Sequence, residues 1–225
     1  MYTALTQQLG VEVSQDLLDL AFTHRSYAYE AGITATNERL EFLGDSVLGL
    51  VVTEELYRKY PDLDESRLSP LRSGIVNMRA LADVARSLNI GTFIRLGKGE
   101  EVTHGREKNS LLADALEALL GAIYLEHGFT KSAQVIEKLI EPVLADAMSR
   151  GAGLDGKTAL QELVAAQGKG APEYKVTESG PDHDKNFTAT VLVAGEAMGS
   201  GSGKSKREAE QSAARHAYDT LAKQD

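Results

Sequence analysis

Apolar residues recur every three or four positions through the first two thirds of the chain. Leu40, Leu43, Val47, Leu50 and Val51 make one stripe, and Leu81, Val84, Ala85 and Leu88 another. Leu112, Leu116, Leu119, Leu120 and Ile123 make a third, and Val135, Ile136, Leu139, Ile140, Val143 and Leu144 a fourth. That period is helical and predicts an all-helical domain over residues 1–148. Pro61, Pro70, Gly91, Gly97, Gly99, Gly105 and Gly128 read as punctuation between its helices. The period stops at Ser149-Arg-Gly-Ala-Gly-Leu-Asp-Gly156, so 149–156 reads as a flexible Gly-rich linker. Over 157–225 the pattern changes. A short amphipathic helix is expected at Thr158–Ala166, then alternating strands at Tyr174–Glu178 and Phe187–Val193. A third strand at Glu196–Gly201 follows the Ala194-Gly195 turn, and a long Ala-rich helix runs over Lys204–Leu221. Helix–strand–strand–strand–helix is a small α+β domain, which makes the chain a multi-domain protein.

Composition narrows the chemistry. The 225 residues are 42% hydrophobic and 25% charged, ordinary for a globular protein. No Cys is present, which excludes disulfides, a thiol nucleophile and Cys-ligated metals. The longest apolar run, Ala115–Leu125, is broken by Glu117 and is too short to span a bilayer, so no membrane is expected. The first residues carry neither a basic region nor an apolar stretch, so no signal peptide is expected and the location reads as cytoplasmic. The net charge is −9, with −7 before Leu154 and −2 from there on. Any polyanion must therefore be met by a local basic patch or through metal ions.

The acidic residues are not scattered. Glu38, Glu41 and Asp45 fall at i, i+3 and i+7, one helical stripe, with Leu40, Leu43 and Val47 opposite. Asp114 and Glu117 repeat the i, i+3 spacing on a second helix, for which Ser110 is the expected N-cap. Two readings stand at this point. One is a pair of solvated acidic faces, as charge runs usually are. The other is an oxygen-only site for a hard divalent cation, which relieves the mutual repulsion. A di-iron carboxylate bundle needs Glu-x-x-His, and both pairs lack the His. His24 reads as a satisfied structural residue rather than a catalyst.

Asn37-Glu-Arg-Leu-Glu-Phe-Leu-Gly-Asp-Ser-Val-Leu48 resembles the signature of the ribonuclease III family. Thr23-His-Arg-Ser26 and Lys108-Asn-Ser-Leu-Leu-Ala-Asp-Ala-Leu-Glu-Ala-Leu-Leu-Gly-Ala-Ile-Tyr124 are similar to further blocks of the same family, in the same order. Ser46, where Ala is commoner, and Asn109 are mild departures. The resemblance implies a metal-dependent endoribonuclease that cuts double-stranded RNA. It places Glu41, Asp45, Asp114 and Glu117 on the metal-binding positions, Asp45 and Glu117 among them as catalytic. Glu38 and Glu65 fall on auxiliary acidic positions. The implied cofactor is Mg2+, with Mn2+ able to substitute, and no small-molecule cofactor. Products with 5′-phosphate and 3′-hydroxyl ends, short 3′ overhangs, and roles in ribosomal RNA and messenger processing come with the family. So does a homodimer, in which Phe42 packs into the partner subunit; from the residues alone Phe42 reads equally as a core aromatic.

In the second domain Lys204, Lys206 and Arg207 are expected in the first turn of the last helix. Cations there oppose the helix dipole, so the arrangement reads either as a solvated basic turn or as a phosphate-binding end. Lys157–Glu162, Gly180–His183 and Ser205–Gln211 resemble the contact regions of a double-stranded-RNA-binding domain. That resemblance implies RNA-binding roles for Thr158, Gln161, Glu162, His183, Lys204, Lys206 and Arg207, with duplex shape read across minor grooves.

Overall fold

A computed structural model describes residues 2–149, 156–181 and 185–222. The chain divides into two compact units, Met1–Met148 and Ser149–Asp225. The first unit is helical: α1 (Thr3–Leu9), α2 (Gln15–Ala21), α3 (Arg25–Ala31), α4 (Glu38–Lys59), α5 (Glu65–Ile75), α6 (Met78–Ser87), α7 (Lys98–Val102) and α8 (Asn109–Ser149). Short polar side chains start several of these. His24 accepts from Ser26 N at α3, Asp64 from Arg67 N at α5, and Asn77 from Arg79 N and Ala80 N at α6.

The α8 segment breaks at Gly128, whose φ of 73° lies in the left-handed region and turns the chain between two helical stretches. Its first stretch is the centre of the unit. Leu112, Ala115, Leu116, Leu119, Leu120, Ala122 and Ile123 are all buried. Helix α1 buries Leu5 and Leu9, and Tyr2 just before it is a further anchor: its ring packs on Phe22 and Phe93, and its hydroxyl donates to Asp19 at 2.8 Å. Three expectations change. Pro70 and Gly99 lie inside α5 and α7 rather than between helices, and the missing N–H of Pro70 forgoes one intrahelical bond. Leu50 does not share the buried face of Val47 and Val51 but is 57% exposed, because the stripe it belongs to runs along the outside of α4. Asn109, not Ser110, opens α8, so Ser110 sits within the first turn.

Helices α4 and α8 meet backbone to backbone. A Cβ on Gly44 would lie 1.8 Å from the carbonyl oxygen of Glu117, and one on Gly121 would lie 2.2 Å from that of Leu40. Only hydrogen fits at either position. The crossing sets the turns of α4 that carry Glu41 and Asp45 against the turns of α8 that carry Asp114 and Glu117.

The second unit consists of α9 (Gly156–Ala166), β1 (Glu173–Ser179), β2 (Asn186–Val193), β3 (Glu196–Gly203) and α10 (Lys206–Leu221). The sheet is antiparallel in the order β1-β2-β3, with Tyr174 opposite Val191 and Val191 opposite Gly199. Leu160 and Val164 of α9, Ala189, Val191 and Val193 of β2, and Ala209, Ala213 and Ala217 of α10 form its core. Ala194 and Gly195, both at positive φ, make the two-residue turn between β2 and β3. The Gly-Ser alternation before the last helix is itself β3. Cβ atoms on Gly199, Gly201 and Gly203 would sit within 2.5 Å of atoms of α10, so these glycines let an alanine-faced helix lie flat on the strand. Of the expected linker, Gly156 belongs to α9 and is buried, Ser149 ends α8, and residues 150–155 lie outside the described residues.

Gly44→Ala should destabilise the first unit by about 3 kcal/mol or more, at or beyond the upper end of overpacking effects, because backbone and not a movable side chain occupies the space. Gly74→Ala on α5, where nothing lies within 4 Å, should leave the melting temperature unchanged or slightly raised. Equal melting temperatures for the two variants would show that the crossing tolerates a methyl group.

Candidate functional site

The glycine crossing converts two separate acidic spacings into one cluster. Carboxylate oxygens of Glu41, Asp114 and Glu117 all lie within 4.8 Å of one another, and all three residues are half-buried. Asp45, one turn on along α4, is exposed and stands outside this group of three, but its charge acts on both Glu41 and Glu117. Glu38 is exposed at the start of α4, where Thr36 Oγ1 donates to it at 3.0 Å and Arg25 lies 3.8 Å away.

Burial raises all three acids, and repulsion from neighbouring carboxylates adds to it at Glu41 and Glu117. Burial is the largest cause at Glu117, and Asp45, Asp114 and Glu41 add to it; its carboxyl is pushed up to about 8. Glu41 is raised by burial and then by Asp114, Glu38 and Asp45, with Arg25 opposing. Asp114 is raised by burial, with His24 and Arg25 opposing. Oxygen donors gathered this closely, with the proton affinity of each raised by burial, are suited to a hard divalent cation. Half-burial and convergence set these three apart from the separate solvated acidic faces of the competing reading.

A cavity of about 540 Å³ opens beside the cluster, walled by His24, Arg25, Asn37, Glu38, Glu41, Glu100, Lys108, Ser110, Leu111 and Asp114. His24 has the structural role expected of it. It caps α3, contacts Ser26 Oγ at 2.7 Å, and burial lowers its pKa. It also faces the cavity, as do Asn37, Glu100 and Lys108, for which residue spacing held no signal; Lys108 reaches Glu100 at 2.6 Å. Glu65 is not brought here. It opens α5 and lines a different recess of about 510 Å³ with Leu56, Tyr57, Leu63 and Leu68. Phe42 is not a core aromatic but is 79% exposed, on an outer stripe of α4 with Leu50 and Tyr57.

In the second unit Thr158, Gln161 and Glu162 share the exposed face of α9, opposite buried Ala159, Leu160 and Val164. Lys157 is tied inward, with Nζ 2.7 Å from Glu210 and 4.4 Å from the centre of the Tyr174 ring. The last helix begins two residues later than expected. Ser205 is its N-cap, accepting from Glu208 N, so Lys206 and Arg207 are in the first turn while Lys204 precedes the cap. Glu208 in turn accepts from Lys204 N at 2.8 Å, a reciprocal arrangement like a capping box. All three basic residues are exposed. His183 lies outside the described residues.

Residues 14–144 match the family model described as Ribonuclease-III-like, and 157–221 match the double-stranded RNA binding motif. Ribonuclease 3 of Thermobifida fusca is 60% identical over 215 residues, covering 96% of this chain and 90% of that protein. Ribonuclease 3 of Streptomyces coelicolor is 56% identical, covering 98% and 80%.

The chain belongs to the ribonuclease III family.

It is thus an endoribonuclease of the family that cuts double-stranded RNA, with a nuclease domain followed by an RNA-binding one. A crystal structure of the ribonuclease III nuclease domain from Campylobacter jejuni, described for flexibility in a region involved in dimer formation, is similar with a TM-score of 0.60 and 45% identity. It covers 63% of this chain and 97% of that one. Both departures from the family signature have simple structural accounts. Ser46 Oγ donates back to the Phe42 carbonyl at 3.1 Å, within its own helix, and Asn109 accepts from Arg86, which anchors the start of α8. Among the described residues no helix is long and apolar enough to cross a membrane.

The Glu117 shift has a consequence for stability in this ribonuclease III. Its folded-state pKa is raised from 4.5 to about 8, so stability from the neutral carboxyl is fully present below 4.5 and lost as pH rises through about 8. In EDTA the wild-type melting temperature should fall across that window. Glu117→Gln should flatten the fall and melt higher than wild type at its upper end by roughly 2–4 °C, the shift that about 1 kcal/mol gives in a protein of this size. Parallel curves for the two proteins would rule out Glu117 as the source.

Proposed function

We propose that the chain hydrolyses double-stranded RNA with divalent cations, Mg2+ or Mn2+, held by Glu41, Asp45, Asp114 and Glu117. The observation that carries this is the convergence of Glu41, Asp114 and Glu117 oxygens within 4.8 Å on a largely apolar helix pair, with Asp45 acting on two of them. When bound, such ions supply Lewis-acid activation of water and stabilisation of the leaving 3′ oxygen. The chain's own contribution is placement: α8 presents Asp114 and Glu117, α4 presents Glu41 and Asp45, and the glycine crossing holds the two sets in reach. Asp45 and Glu117 are assigned the catalytic positions. Glu38, turned toward Arg25 on the cavity rim, is auxiliary. In-line attack of water leaves a 5′-phosphate and a 3′-hydroxyl. Short 3′ overhangs, maturation of ribosomal RNA precursors, messenger processing and a cytoplasmic location follow the family and complete the reading.

A homodimer belongs to the same proposal. An exposed aromatic on a stripe with Leu50 and Tyr57 is the profile of a surface that another chain covers. The recess beside Leu56 and Leu63 has room for an aromatic side chain. A partner's Phe42 seated there brings Glu65, on the recess wall, toward the acidic stripe that adjoins that Phe42. This accounts for an auxiliary acid that its own chain leaves outside the cavity.

Thr158, Gln161 and Glu162 on α9, His183, and Lys204, Lys206 and Arg207 at α10 are assigned to the duplex. The basic groups stand where free N–H groups and the helix dipole already favour a phosphate.

The deciding experiment uses long duplex RNA. Cleavage should require Mg2+ or Mn2+ and stop in EDTA. Glu117→Gln should cut more slowly by orders of magnitude while binding duplex normally in Ca2+, since it alters a ligand oxygen and not the second domain. Near-normal cutting by that variant, or by wild type in excess EDTA, would refute the site. Separately, replacing Lys204, Lys206 and Arg207 by Ala should weaken binding to all duplexes alike and make the log–log salt slope shallower by roughly 3. Unchanged affinity would leave the patch a solvated turn.

A further inference from the structure

Among the described residues, the buried polar ones are Thr6, Thr23, Asn37 and Ser132. In three of these the side-chain hydroxyl donates to a carbonyl one helical turn back: Thr6 to Thr3, Thr23 to Asp19, and Ser132 to Gly128. Asn37 differs. It is only 4% exposed, yet its amide makes no side-chain hydrogen bond to any described residue. Asparagine at a helix start normally caps the first turn; this one precedes α4 with helical backbone angles and makes no cap bond. Its backbone is fully used, the N–H donating to Thr23 O and the carbonyl accepting from Glu41 N, both at 2.9 Å. What remains unspent is the side-chain amide, and Asn37 lines the acidic cavity beside Glu41 and Asp114.

An amide that the fold leaves unbonded and that opens only onto a cavity is available to what the cavity holds. We propose that the Asn37 side-chain amide donates a hydrogen bond to a non-bridging oxygen of the RNA phosphodiester bound in this cavity. The neighbouring charges favour a donor there. Glu38, Glu41 and Asp114 repel a phosphate, while the cations on the same wall are engaged: Lys108 with Glu100 at 2.6 Å, and Arg25 facing Glu38 at 3.8 Å. A neutral amide offers two N–H groups without drawing the carboxylates toward itself as a cation would. The inference rests on the reading of this cavity as the cleavage site and adds a group that holds the substrate rather than the metal.

The test compares wild type, Asn37→Ala and Asn37→Asp in three measurements: single-turnover cleavage of duplex RNA at saturating enzyme in Mg2+, duplex affinity in Ca2+, and melting temperature without RNA. Asn37→Ala should cut about tenfold more slowly, the equivalent of one hydrogen bond. Affinity, carried mainly by the second domain, should hold. Its melting temperature should stay level or rise, since an amide with no partner is replaced by a methyl group. Asn37→Asp should cut more slowly still, because it sets a further negative charge against the phosphate. Wild-type cutting by Asn37→Ala overturns the inference. So does a lowered melting temperature with parallel loss of cutting and affinity, which makes Asn37 structural. Asn37→Asp at the wild-type rate also overturns it, since an oxygen would then suffice. A wild-type chain that fails to cut in Mg2+ instead defeats the reading of the cavity, and the inference with it.

Discussion

Two helices that touch through their backbones govern the first domain. At Gly44 and Gly121 there is no side chain between α4 and α8, so their separation is set by main-chain atoms that have no rotamers with which to adjust. Packing of that kind is stiff. It brings Glu41, Asp114 and Glu117 into one group despite their repulsion, because the apolar face of α8, from Leu112 to Ile123, is buried on the other side and fixes the helix. The raised pKa of Glu117 is the electrostatic trace of that contest: burial prevails, and this carboxyl's affinity for its proton rises.

The second domain uses the same device for a different purpose. Gly199, Gly201 and Gly203 along β3 let α10 lie close on the sheet, and Ala209, Ala213 and Ala217 face them with minimal bulk. A close helix keeps its first turn in a defined place, and that turn carries Lys206 and Arg207 just after the Ser205 cap. The domain's net charge of −2 therefore does not describe what a duplex would meet. Local placement of cations at a helix start outweighs the sum, since screening confines such charges to short range.

The surface of α4 divides its labour by angle. One stripe, Leu40, Val47 and Val51, is core; another, Glu41 with Glu38 and Asp45, faces the acidic site; a third, Phe42, Leu50 and Tyr57, is open. A single helix thus serves folding, the proposed chemistry and the proposed dimer. Glu41 and Phe42 are adjacent in sequence, so association along the third stripe is coupled by geometry to the second.

Much of this was legible beforehand. The helical period over the first domain, the change of pattern at the Gly-rich segment, three strands and a closing helix all follow from spacing, since burial of one face is what spacing records. The carboxylate positions were legible as two stripes, and the family signature joined them. Periodicity had no means of showing which apolar positions stay outside: Leu50 keeps helical register with Val47 yet is exposed, and Phe42 reads as core until its surroundings are known. Nor could spacing give the first turn of the last helix, because a cap depends on one side chain meeting one N–H, and Ser205 with Glu208 decides it. The cavity residues His24, Asn37, Glu100 and Lys108 come from four separated segments and share a wall only after folding. The sequence by itself determined the elements and the charges they carry, because local propensity and burial pattern are one-dimensional. Only the tertiary structure decided which of those charges meet and which buried group is left without a partner, because both depend on a backbone contact between residues far apart in the chain.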